Sequence, residues 1–145
     1  MEFEAFQSVV EQVKARQPLL FELERDRIPE EGEIQAFEQQ CGIRLPEKYI
    51  QFLRHYGGGY FGFANLYSLD ETSYFYLLAH NQAGEKEFLC VADNECGDEY
   101  GLKIEQGQCQ DAVIFYDHEE KTFCDTGFSD ILEYLAAEGL KWPKT

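Results

Sequence analysis

Up to Tyr56 the apolar residues recur three and four positions apart, and beyond Phe88 they alternate with polar ones, so the chain reads as helices first and strands afterwards. Between Glu2 and Arg16, Phe3, Phe6, Val9, Val10 and Val13 share one helical face. Glu2 and Glu4 sit where the helix dipole is positive, Lys14 and Arg16 where it is negative, and Pro18 terminates the segment. From Ile28 to Gly59 the pattern predicts two helices joined by a two-residue hinge. Pro29 fits the first turn of the former, beside Glu30, Glu31 and Glu33, and Ile34, Phe37 and Cys41 form its apolar stripe. Gly42 ends it by taking a left-handed conformation. Pro46 opens the second helix, whose buried stripe is Tyr49, Phe52, Leu53 and Tyr56, and Gly57, Gly58 and Gly59 stop it.

The middle of the chain is less regular. Tyr60 to Tyr67 mixes aromatics with Gly62 and reads as one irregular strand, Ser68 to Glu71 as a polar turn, and Thr72 or Ser73 as the cap of a short helix through about Asn81 carrying Tyr74, Leu77 and Leu78, with a strand as the alternative. Phe88 to Ala92, Tyr100 to Ile104, Ala112 to Tyr116 and Thr122 to Cys124 are then short apolar or alternating runs divided by turn residues, which predicts an antiparallel meander with a tight last turn from Asp117 to Lys121. Ser129 is expected to cap a final helix with Ile131, Leu132, Leu135 and Leu140 facing inward and Gly139 at its exit. Consecutive strands without intervening helices argue for an α+β fold, a mostly antiparallel sheet with N-terminal helices and a C-terminal helix packed on it, in one domain spanning residues 1–145.

The order Ile28-Pro29 with acids, Gly42-Ile43, Leu45-Pro46 and Tyr56-Gly57-Gly58 resembles the SUKH superfamily, also called Smi/Knr-like. The likeness continues through Asn65 to Leu69, the turn at Gly97 and Asp98, and the helix start from Phe128 to Leu135, covering about residues 28–140. It implies the same α+β arrangement. It also implies one of two roles: a bacterial immunity protein that binds and neutralises a toxin, or a non-catalytic regulatory interaction module like the fungal members linked to cell-wall and signalling control.

Charge sharpens this. Twelve basic against 28 acidic side chains leave a net charge of −16, and residues 93–138 hold 13 acids against only Lys103 and Lys121. Such a surface repels nucleic acids and anionic lipid head groups, whose binding is driven by Lys and Arg, but steers a basic protein towards it. Twelve Phe, nine Tyr and one Trp supply a large core despite the charge. Five cysteines, an odd number with no CxxC pair, and an acidic first segment where a secretory signal would be basic predict free thiols in a reducing cytoplasm.

Candidate chemistry is sparse. In Asp93-Asn94-Glu95-Cys96-Gly97-Asp98-Glu99 the carboxylates are dense, but a calcium loop counted from Asp93 needs glycine at position 6 and glutamate at 12, where this chain has Asp98 and Ile104. Asp117-His118-Glu119-Glu120 offers acids and a base that a hairpin turn makes diverge. His55 and His80 read as helix-end residues, Cys96 as a thiol whose reactivity the surrounding acids blunt, and Tyr74, Phe75 and Tyr76 as core. Gly57-Gly58-Gly59 follows a helix, whereas phosphate cradles precede one. No catalytic residue, metal ligand or cofactor is expected. A metal-dependent enzyme built on the acidic loop is the least favoured reading. The expected site is instead a partner-binding surface of Asp93, Glu95, Asp98, Glu99, Asp117, Glu119 and Glu120, whose partner is a cognate toxin, basic and of the nuclease type. Its carboxylates would compete with phosphate for the toxin's basic groups.

Overall fold

A computed structural model describes residues 1–82, 86–95 and 97–142. Its elements run α1 (Phe3–Arg16), a 3-10 turn at Pro18–Phe21, α2 (Glu33–Cys41), α3 (Glu47–Tyr56), the strands β1 (Gly59–Phe61) and β2 (Ala64–Leu66), a 3-10 turn at Leu77–His80, β3 (Phe88–Asp93), β4 (Glu99–Glu105), β5 (Gln108–Asp117), β6 (Thr122–Asp125), and α4 (Ile131–Tyr134), which widens into a π-helical turn at Leu135–Gly139. The fold is α+β. The last four strands form the expected meander, antiparallel in the order β3-β4-β5-β6.

Local chemistry accounts for most boundaries. Phe3, Phe6, Val9, Val10 and Val13 of α1 are all buried, and the Gln17 N–H closes that helix on the Val13 carbonyl at 2.8 Å before Pro18. Gly42 ends α2 at φ 68°, as its place in the pattern predicts. Tyr49, Phe52 and Leu53 of α3 are buried, with the Phe52 ring 5.9 Å from Phe6 and 5.0 Å from Phe61. On the other side of this core the inward sheet residues Leu89, Leu102 and Val113 are also buried, and Tyr100 meets Tyr134 of α4 at 4.9 Å.

Four details differ from the sequence expectation. Helix α2 starts at Glu33, behind Gly32 at φ 85°, rather than at Pro29. The Glu33 carboxylate explains the delay by receiving the Glu30 N–H at 2.9 Å and both terminal nitrogens of Arg27 at 2.8 Å, fixing a turn ahead of the helix. Tyr60 to Tyr67 is a hairpin, not a single strand. It reverses at Gly62 (φ 61°), where a β-carbon would stand 2.2 Å from the Gly139 carbonyl oxygen that accepts the Phe63 N–H. The cap of α4 is Asp130 rather than Ser129: its carboxylate accepts the Glu133 N–H at 2.9 Å, while the Glu133 carboxylate accepts the Ser129 N–H at 3.1 Å, a capping box shifted by one residue. The helix expected through Asn81 shrinks to the Leu77–His80 turn, because the Ser73 hydroxyl binds the Phe75 N–H and Asp26 instead of opening a longer helix.

Candidate functional site

In an antiparallel meander alternate connections lie at the same end of the sheet, so the β3–β4 loop and the β5–β6 turn are neighbours. The register makes this concrete: Asp93 pairs with Glu99, and Glu99 with Tyr116. From the β5–β6 turn His118 reaches back across the strands, its Nε2 2.9 Å from Glu99 Oε1. The seven carboxylates singled out in the sequence therefore stand at one end of the sheet.

They do not play equal parts there. Asp93 is an internal organiser: Oδ1 accepts the Asn65 amide at 3.0 Å and the Glu95 N–H at 2.8 Å, and Oδ2 accepts the Tyr67 hydroxyl. Asn65, itself buried, completes a reciprocal pair by taking the Asp93 N–H at 3.2 Å. Together with the bond from Tyr67 N–H to the Val91 carbonyl at 2.8 Å, these contacts lock the β1–β2 hairpin onto the end of β3. Asp117 plays the same part in its turn, accepting the Glu119 and Glu120 N–H groups at 2.9 and 3.1 Å. Asp98 is tied to Asn94 by side-chain and backbone bonds. Glu95, at φ 62°, is exposed and hydrogen-bonds Tyr60, an interaction that raises the Tyr60 hydroxyl above its ordinary pKa. Glu119 and Glu120 are exposed at the tip of the turn.

Aromatic side chains from outside the two acidic turns border these acids. The His80 ring lies flat on Tyr67, centroids 3.9 Å apart and planes 10° apart, and its Nε2–H donates to the Tyr74 carbonyl at 2.7 Å. Tyr74, expected in the core, is 76% exposed and stands edge-on to His80 at 5.4 Å, while Phe75 beside it is buried. Tyr60, Tyr67, Tyr74, His80, Asp93, Glu95 and Glu99 border a hollow of about 580 Å³, with Asn65 and Gly97 completing its described lining. A second hollow of about 530 Å³ shares His80 and Glu99 with it and runs on towards Phe88, Tyr116, Lys121 and Phe123. The rings of Phe88 and Tyr116 lie 5.0 and 5.1 Å from that of Phe123, which is 55% exposed on the outer face of the sheet. Gly101 makes room for this cluster, since a β-carbon there would come within 2.5 Å of the Phe88 ring. The two hollows form one trough, acidic at the hairpin end and aromatic along the strands.

The remaining candidates are quiet. Burial pushes the Cys90 thiol up, aided by Glu99, and raises Cys109 to about 12, so both stay protonated. Burial likewise raises Tyr67, with its bond to Asp93 acting in the same direction. His55 binds its own helix, Nδ1 being 3.0 Å from the Gln51 carbonyl. Cys96 lies outside the described residues. Among the described residues no three His, Cys, Asp or Glu side chains converge as a metal site, and no helix is long and apolar enough to cross a membrane.

No curated protein and no solved structure gives a significant match. The family model described as SMI1 / KNR4 family (SUKH-1) matches residues 28–136, from the turn before α2 through α3, both sheets and α4. That span covers most of the chain, including the trough and both acidic turns, and the chain belongs to the SMI1/KNR4 family (SUKH-1).

Proposed function

We propose that this chain is an immunity protein that acts in the cytoplasm without catalysis of its own, binding and neutralising a cognate toxin whose active domain is basic and of the nuclease type. The docking surface in this reading is the acidic end of the sheet: Asp93, Glu95, Asp98, Glu99, Asp117, Glu119 and Glu120. The observation that carries it is the joining of the two acidic turns through the Glu99–His118 contact, beside exposed aromatic rings. Exposed rings inside a charged rim match the anatomy of specific protein interfaces, in which a few aromatic anchors supply most of the affinity and the rim supplies steering. A nuclease domain must be basic where it holds phosphates, so dense carboxylates compete for the groups it needs.

Co-expression with the C-terminal domain of a toxin encoded beside this chain tests the reading. Survival of cells that the toxin domain alone kills, together with a complex isolable from them, is the expected result. Death despite folded protein would reject immunity and return the chain to the regulatory branch of its family.

A further inference from the structure

We infer that the hollow between the β1–β2 hairpin and the β3–β4 loop is a receptor for one arginine side chain of the partner, an inference that rests on the proposed function and deepens it. Its walls are aromatic and its rim is anionic, a combination that favours a flat cation. Exposed Tyr74 and the face of His80 turned away from buried Tyr67 offer ring surfaces on which a guanidinium can lie. Asp93, Glu95 and Glu99 supply the charge; Glu99 also meets His118 from outside the hollow at 2.9 Å, and among the described residues lining the hollow there is no Lys or Arg. The partners of Asp93 are an amide, a hydroxyl and a backbone N–H, so its negative charge is held in place but not cancelled.

Arginine fits this arrangement better than lysine. Its planar group stacks on rings and presents paired donors to a carboxylate, whereas an ammonium is a compact, strongly hydrated point charge. At about 580 Å³ the hollow lies within the range of small-ligand sites. Asn65, buried and doubly bonded to Asp93, fixes the floor before a ligand arrives, which lowers the ordering cost of binding.

The test is an NMR titration of the full chain with N-acetyl-L-arginine amide, N-acetyl-L-lysine amide and the uncharged isostere N-acetyl-L-citrulline amide. The arginine amide is expected to give saturable shifts centred on the Tyr67, Tyr74 and His80 rings and the Glu95 amide. Lysine amide should bind about threefold more weakly or worse, and citrulline amide should not saturate. Tyr74→Ala and Glu95→Gln, both at exposed positions, should each weaken the arginine amide by about threefold or more, while Glu105→Gln at the other end of the sheet leaves it unchanged. No saturable shift, equal binding of arginine and lysine or of arginine and citrulline, or indifference to both Tyr74→Ala and Glu95→Gln would overturn the inference. The co-expression result separates the two claims. Protection without arginine-amide binding removes the receptor and keeps immunity, and arginine-amide binding without protection does the reverse.

Discussion

Single residues carry much of the stability, and two make contrasting tests. Phe52 is 1% exposed and packs on Phe6, Tyr56 and Phe61, so Phe52→Ala should cost about 3–5 kcal/mol, read from the denaturation midpoint. A fully stable variant would contradict the packing of α3. Asp130 tests charge instead. Burial alone would raise its pKa, but bonds from the Met1 amino group at 2.6 Å and from Lys48 at 2.9 Å outweigh burial and lower it, while the same contact raises Lys48. A lowered aspartate pKa stabilises the fold above its ordinary value near 3.8, and this contribution is lost as pH falls through the folded pKa. A raised lysine pKa stabilises below its ordinary value near 10.5 and is lost as pH rises through the folded pKa. Asp130→Asn, which keeps the cap, should therefore cost about 1.5–3 kcal/mol across neutral pH, a gap that closes at both extremes. No gap at neutral pH would show that Asp130 acts through its cap alone, since Asn keeps that bond.

At the scale of elements, the hairpin and the β3–β4 loop stand or fall together. Asn65→Ala removes both bonds of the reciprocal pair and should cost about 1–3 kcal/mol. Hydrogen exchange at the Glu95 amide, which Asp93 holds, should accelerate with it. Unchanged exchange at Glu95 would mean that the loop keeps its shape without Asn65. This junction also marks where the sequence stops being legible. The meander can be read because its strands run four to ten residues, apolar or alternating and divided by turn residues, and α1 and α3 because their stripes are long. The hairpin cannot, since strands of three residues are too short to show a period and Gly62 alone signals the reversal. The start of α2 is misplaced by the pattern because Pro29 suits a first helical turn, while the Arg27–Glu33 contact that delays the helix leaves no local signal.

Across the whole molecule, the acidic residues of the site are visible in the sequence and their setting is not. Charge density marks the two turns, and the antiparallel reading implies that they share an end. Nothing in the spacing of Tyr60, Tyr67, Tyr74 and His80 shows that they meet, since they come from the hairpin and from the irregular segment after it. Nor can the part a carboxylate plays be read from its place in the chain. Asp93 and Asp117 are engaged in holding backbone and Glu99 in its contact with His118, leaving Glu95, Asp98, Glu119 and Glu120 as the set to neutralise when charge alone is to be tested; the bond that Asp98 accepts from the Asn94 amide is one an Asn oxygen can also accept. The central claim is that the acidic end of the sheet steers a basic toxin domain onto this chain. Stopped-flow association with the co-encoded toxin domain, at a series of salt concentrations, tests it most directly on wild type and on a variant carrying Glu95→Gln, Asp98→Asn, Glu119→Gln and Glu120→Gln. The account predicts that the variant keeps wild-type stability, associates about tenfold or more slowly at low salt with a flatter salt dependence, and dissociates at a similar rate. Identical association rates and salt slopes for the two proteins would contradict it.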